Sequence, residues 1–375
     1  MAKQAWIFVY GAGETVFTSD VLSFSGEWGR QNYLDNYAGG GFSVTIKNNT
    51  NQAASFIRGT KVKIEFSNGV RAWEGKVTTV DYDDYPGDTG LSTATVKCID
   101  FVAQAGKFTI QNFNYTETDT LSQAVQTNAF FPLAPQIYVV STGQSTASGT
   151  ASSYTGTILN RLNILNDTER GQLKTFTNVI SFISRKQTGL YISAVSLNRT
   201  GDSPTVISYT NFRRIGLGDN FMNQVEVNPE TVASQTSNNT VSQTAYGISS
   251  YSVDSADSTT TQAAGLASWL SNMQGDPATL RYEVDFNDVS CNETAFYTYM
   301  QGMLSASNLT SQGTLQWQAQ GESLQTIQTI IEGMSFSGTP DQTNVTVYLS
   351  PIEYYSYFTL NDTALGILDT SRLGW

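Results

Sequence analysis

The sequence predicts a mainly β chain with α/β insertions, organised as two β-rich regions separated by a mixed one. Three observations carry this. Short runs of alternating apolar and polar residues recur through residues 1–107 and again through 205–350, the period-2 signature of half-buried strands. Glycines and an Asn-Gly step separate these runs at short intervals, as in small barrels and sandwiches. Between them, residues 108–204 change character and carry apolar residues at helical spacing.

In the first region Trp6–Tyr10 reads as a strand, and Gly39, Gly40 and Gly41 turn the chain into Phe42–Lys47. Gly59 leads into Lys61–Phe66, with Val62, Ile64 and Phe66 on one face. Asn68-Gly69 is a hairpin signal, and the return strand carries Val70, Ala72 and Glu74 before Gly75 and Val77–Val80. Ala94–Phe101 closes the set. In the middle region Thr118 or Asp119 caps a short helix with Leu121, Ala124 and Val125, and Ser141–Gly156 is a polar loop. Phe176, Val179, Ile180 and Ile183 fall at i, i+3, i+4 and i+7, which predicts a helix over about 174–187. Gly189 ends it and Leu190–Leu197 returns as a strand. Beyond 205 the strand candidates are Val206–Phe212, Phe221–Val227, Thr244–Asp254, Leu280–Phe286, Leu315–Ala319, Ile327–Ile331 and Asn344–Leu349. One inserted helix is predicted over 259–272, where Ala263, Leu266, Ala267 and Leu270 repeat, and Asp276-Pro277 stops it.

Residues 351–375 form a C-terminal segment. Pro351 has no N–H to donate and ends the last ladder. Aromatic residues Tyr354, Tyr355, Tyr357 and Phe358 follow, then an apolar tail through Leu368, Arg372, Leu373 and Trp375. A chain end this apolar is expected to dock on its own domain or on a neighbouring subunit. Leu349-Ser350-Pro351, Phe358, Leu360, Gly366, Leu368, Asp369, Arg372, Leu373, Gly374 and Trp375 together resemble the close of the minor tail proteins of long-tailed phages, the tail-tip or baseplate hub family. A weaker second block is the order Tyr246-Gly247, helix, Pro277, strand. Two positions depart from the pattern: Phe336 stands near a frequent His, and Thr343 where many members have Trp.

That resemblance implies the phage tail hub fold, with two β-barrel-like domains per subunit, and a structural virion protein at the tail tip, made in the host cytoplasm and without catalytic activity. The subunits would form a homotrimeric ring joining the tail tube or distal tail protein to a tip fibre or spike, with the tape measure protein as a further partner. DNA would pass through the lumen only in transit, during genome ejection. The candidate subunit-interface residues are Tyr354, Tyr355, Tyr357, Phe358, Leu368, Arg372, Leu373 and Trp375, since interface cores favour aromatics; packing inside the subunit's own core is the alternative for them. A second function is a host-receptor or glycan-binding tail protein, and a third a cell-wall hydrolase.

Composition narrows the field. The 375 residues are 39% hydrophobic and 12% aromatic, enough for packed cores. Only 14% are charged, with 20 Lys+Arg against 32 Asp+Glu, a formal net charge of −12. Nucleic-acid binders present a basic face, so this balance argues against a dedicated one. No apolar run approaches the ~20 residues of a membrane-spanning helix, and the short run after Lys3 does not make a signal peptide. The chain contains no His, which removes Ser-His-Asp and Cys-His nucleophiles and the two-His zinc motif. Paired carboxylates for glycoside hydrolysis remain: Glu283 with Asp285, or Glu322 with Glu332, whose ordinary reading is surface charge. Asp81, Asp83, Asp84 and Asp88 offer oxygens to calcium, but without a calcium-loop spacing they read first as a solvated loop. Gly11-Ala12-Gly13 lacks the third glycine and the following helix of a dinucleotide loop. Cys98 and Cys291 read as buried thiols rather than a disulfide, and no metal or other cofactor is expected. Asn-x-Thr triplets at Asn114, Asn198 and Asn344 arise from composition.

Overall fold

The computed structural model describes residues 6–10, 15–16, 20–66, 71–87, 89–113, 137–140, 154–176, 179–183, 193–278, 280–304 and 312–352. The first region holds β1 (Trp6–Tyr10), β2 (Thr15–Val16), β3 (Val21–Gly29), β4 (Gly41–Lys47), β5 (Lys61–Phe66), β6 (Arg71–Asp83), β7 (Thr93–Ile99) and α1 (Phe101–Ala105). The middle holds β8 (Thr109–Phe113), β9 (Ile137–Val140), β10 (Tyr154–Thr157), α2 (Ile158–Glu169), β11 (Gln172–Phe176), β12 (Val179–Ile183) and β13 (Ser196–Asn198). There follow β14 (Val206–Ser208), β15 (Asn211–Gly216), β16 (Gln224–Pro229), β17 (Gln235–Asn238), α3 (Thr240–Tyr246), β18 (Ser250–Ser255) and α4 (Thr260–Met273). The chain continues through β19 (Leu280–Asn287), α5 (Glu293–Leu304), β20 (Gln312–Trp317), β21 (Gln325–Thr339) and β22 (Gln342–Pro351).

Alternation places one face of each long strand inside. Phe42, Val44 and Ile46 of β4 are buried, as are Ala94, Val96 and Cys98 of β7 and Val345, Val347 and Leu349 of β22. Each such row faces one core because successive side chains point to opposite faces. The strands join in a 14-stranded sheet. One barrel-like set runs β3-β4-β7-β6-β5-β1-β2, and the other runs β14-β13-β20-β21-β22-β19-β15. Among the described residues neither set closes into a full ring of ladders.

The two sets share β21. Its first half, Gln325–Ile330, pairs with β20. Its second half, Gly333–Gly338, pairs along the same edge with β3, from Gly29 back to Phe24. The opposite edge pairs with β22 from Thr329 to Thr339, with a bulge between Ile331 and Gly333 that leaves Glu332 as the extra residue. The seam is apolar: the Phe336 ring lies 6.1 Å from Phe42 and 6.4 Å from Phe24.

Helices cover the remaining faces. The N-cap of α2 is Thr157, whose side chain accepts from Asn160 N at 3.1 Å, and that of α4 is Thr259, which accepts from Gln262 N at 3.2 Å. α4 packs Leu266, Ala267 and Leu270 against Val225 and Val227 of the small sheet β17-β16-β18. α5 lays Phe296, Tyr299, Met300 and Met303 on the main core, and Phe286 meets Tyr299 edge-on at 5.7 Å. α4 occupies the span the sequence predicts for an inserted helix. α2 and α5 lie where the sequence reading placed none.

Two expectations are corrected. The helix over 174–187 is replaced by the antiparallel pair β11–β12, with Gln172 opposite Ile183 and Phe176 opposite Val179. Its helical spacing arose from two consecutive strands, and the β-branched Val179, Ile180 and Ile183 favour the pleat. Thr244–Asp254 is divided between the end of α3 and β18. Asn239 caps α3 by accepting from Ser242 N at 3.1 Å, which starts a helix where alternation suggested a strand. The helix expected around Leu121–Val125 and most of the loop Ser141–Gly156 lie outside the described residues.

Candidate functional site

Where β20 and β3 meet end to end along β21, the sheet edge changes partner at Glu332. Arg30 follows β3 directly, and its backbone N–H donates to the Glu332 carbonyl at 3.1 Å. Its side chain turns inward, and Nε donates to Glu332 Oε2 at 2.8 Å. The side chains are 1% and 0% exposed and stand 302 residues apart in sequence. The other guanidinium nitrogens reach the carbonyls of Asp35 at 3.4 Å and Gly171 at 3.5 Å. The guanidinium carbon lies 5.2 Å from the Tyr33 ring centroid and 4.7 Å from that of Tyr37, cation–π contacts that favour a desolvated cation.

The middle region enters the same junction. α2 ends at Arg170, which has φ 51° and swings the chain into β11. Gln172 Nε2 then donates to the Ile331 carbonyl at 2.7 Å. Two residues on, the Lys174 ammonium sits 5.3 Å from the Trp28 ring. From α2 itself, Asn163 brackets Tyr37: Oδ1 accepts from its N–H at 3.1 Å and Nδ2 donates to its carbonyl at 3.0 Å. Arg170 pairs with Asp167 at 3.5 Å. On the far side α2 holds the second β region, where Arg161 pairs with Glu230 and the Thr168 hydroxyl accepts from Ala256 N at 2.8 Å. Three regions distant in sequence thus meet on one buried set of charges.

Burial governs the protonation here. It drives the Tyr37 hydroxyl up. It raises the Asp167 carboxyl against the opposing fields of Arg170 and Arg30. It lowers the Lys174 ammonium from 10.5 to about 7, with Glu332 pulling the other way. The folded protein therefore releases this proton more readily than the unfolded chain. Between pH 7 and 10.5 the unfolded state binds more protons, so this group makes stability rise with pH across that window. Below pH 7 the cost of burying the charge is fully present. Relative to Lys174→Met, the natural chain is expected to gain up to about 1.4 kcal/mol per pH unit over this window. Denaturant titrations of both proteins at several pH values check this; a difference independent of pH contradicts it.

Among the described residues the junction presents no nucleophile–base pair and no pair of acids open to solvent; its polar side chains tie the three regions together.

Glu332 was named by the sequence only as a partner for Glu322, and the two are not brought together. Glu322 is solvent-facing, 3.9 Å from Arg214, while Glu332 is buried against Arg30. Glu283 is not the surface charge expected: its side chain is 8% exposed and is held by Arg213 at 2.6 Å and Arg281 at 3.7 Å. Asp285 accepts from Thr346 Oγ1 at 2.7 Å and from Asn211 Nδ2 at 2.9 Å. Both carboxylates thus serve cross-strand pairing. Asp81, Asp83 and Asp84 are exposed, and Asp81 pairs with Lys97 at 2.7 Å. Asp88 lies outside the described residues, and among those described no three acidic or cysteine side chains are placed to hold a metal. Cys98 and Cys291 are free and buried, and burial pushes each thiol up to about 12. Asn198 Nδ2 donates to Gln316 Oε1 at 2.7 Å, and Asn344 is exposed. Gly11, Gly13 and Asn114 lie outside the described residues, as do all the interface candidates, Tyr354, Tyr355, Tyr357, Phe358, Leu368, Arg372, Leu373 and Trp375. Among the described residues no helix is long and apolar enough to cross a membrane.

Sequence reasoning missed Arg30, Lys174, Arg161 and Arg170. The available signal was a charge set inside an apolar run, as in Ile330-Ile331-Glu332-Gly333-Met334 and Leu173-Lys174.

No family model matches the sequence, and no curated protein matches it significantly. Solved structures do match. The 43 kDa tail protein of prophage MuSo2 from Shewanella oneidensis superposes with a TM-score of 0.58 at 13% identity, over 94% of this chain and 98% of that one. A tail protein from Neisseria meningitidis gives 0.61 at 9% identity, over 92% and 96%. The E. coli c3393 protein gives 0.53 at 12% identity, over 88% and 73%; it is described as a type VI secretion component with structural similarity to the T4 phage tail proteins gp27 and gp5. These matches are named by their place in tails or secretion systems rather than by a catalytic activity. At such identities the likeness is one of fold, and over nearly its whole length this chain has the mainly β fold of the phage tail proteins.

Proposed function

We propose that this protein is a non-catalytic structural component of a phage tail, the hub at the tail tip. Three subunits form a ring that joins the tail tube or distal tail protein to a tip fibre or spike, in contact with the tape measure protein. DNA crosses its lumen during ejection. The observation that carries this reading is the structural match over 94% of this chain and 98% of the Shewanella tail protein. The buried junction supports it. A connector bearing load needs its domains held in one orientation, and buried ion pairs serve orientation better than they serve stability. The charge balance of 20 Lys+Arg to 32 Asp+Glu also fits a channel that does not retain phosphate, since such contacts need cations.

The C-terminal segment, Tyr354 to Trp375, is proposed as the intersubunit contact. Gold-labelled antibody on purified virions tests the location. Label at the distal end of the tail is expected; label on the head, or none on intact particles, overturns the reading.

A further inference from the structure

The second strand set ends with β14 and β15, which follow one another in sequence yet form no ladder together. Aromatic rings fill the gap between them. Phe212 lies 5.7 Å from Tyr209, 5.5 Å from Trp317 and 6.0 Å from Tyr282. Over this cluster opens a groove of about 520 Å³ lined by Tyr209, Phe212 and Trp317 together with Arg199 and Arg214.

Two features of the groove call for a ligand. Both arginines are exposed in a chain of net charge −12. Arg199 makes no ion pair among the described residues, and Arg214 only a loose one with Glu322 at 3.9 Å, which exposure and salt weaken further. Trp317 is 8% exposed and backs the Phe212 ring at 5.5 Å. Tyr209 is anchored, its hydroxyl donating to the Gln316 carbonyl at 3.2 Å, so its ring is preset rather than mobile.

We infer that this groove binds an acidic saccharide, a sugar ring bearing a carboxylate. The aromatic cluster supplies a platform for the apolar face of a pyranose, and the guanidinium forks take the carboxylate in paired hydrogen bonds. A neutral sugar would leave both cations unused. A free inorganic anion would leave the rings unused. The inference is independent of the tail-hub reading, since it rests on the groove alone.

Calorimetric titration of the full chain with sodium glucuronate, glucose and inorganic phosphate tests it, with an oligo-glutamate peptide as competitor. Glucuronate is expected to bind with Kd near 1 mM, and glucose and phosphate at least about tenfold more weakly. Arg199→Gln and Arg214→Gln are each expected to weaken glucuronate about tenfold while leaving thermal unfolding unchanged. No heat with glucuronate overturns the inference. So does equal affinity for glucose or phosphate, binding that survives the double variant, or a peptide that binds more tightly than the sugar.

Discussion

Glu332→Ala loses about 3–5 kcal/mol of folding stability, the cost of stripping a buried ion pair of one partner. The Arg30 guanidinium is 1% exposed and cannot turn to water. Around it lie two carbonyls at 3.4 and 3.5 Å and two tyrosine rings, and it also feels the field of Asp167, a carboxyl that burial raises. Lys174 also loses the carboxylate that opposes its neutralisation, so its ammonium falls further below about 7. The double variant Arg30→Met/Glu332→Leu is expected to lose less than the sum of its single changes, because no orphaned charge is left in that pair. Equilibrium denaturation of the three variants checks both statements. A loss under about 1 kcal/mol for Glu332→Ala would mean that the pair is solvated.

Gly29→Ala is the second large effect. Gly29 has φ +79°, a conformation that costs an L-residue about 1–2 kcal/mol. A Cβ there would also collide with the Glu332 carbonyl oxygen and stand 2.6 Å from Gly333 Cα. Gly333 opposes it with the same constraint, since a Cβ on that residue would lie 2.6 Å from the Trp28 carbonyl and 2.7 Å from Arg30 N. Both obstacles are backbone, so neither can rotate aside. A loss of about 3 kcal/mol or more is expected, with weaker amide protection along the β3–β21 ladder than along β4–β7. Uniform loss of protection would place the damage elsewhere.

These two effects fall where the sequence was least legible. Strands such as Phe42–Lys47, Lys61–Phe66 and Asn344–Leu349 could be read because one face is buried and the other wet, which leaves alternation in the residues. The helix at Thr260–Met273 could be read from its apolar stripe and its stop. β11 and β12 could not: two short consecutive strands imitate a helical stripe, and only the β-branched residues spoke against it. α2 carried a readable signal, with Ile158, Leu162 and Leu165 spaced along one face behind the cap at Thr157. The pairing of β3 with β21 leaves no local trace, because each strand would alternate equally well beside any neighbour. Arg30 and Glu332 carry no local sign of their pairing for the same reason, and Glu332-Gly333 is a bulge within the 15-residue β21.

The ring is the central claim, and the molar mass of the purified protein in solution tests it most directly. Light scattering is expected to give three times the 40.9 kDa of one chain, with removal of residues 353–375 returning the mass to that of one chain. A monomer at every concentration, unchanged on mixing with the tail tube or tip proteins, would contradict the account.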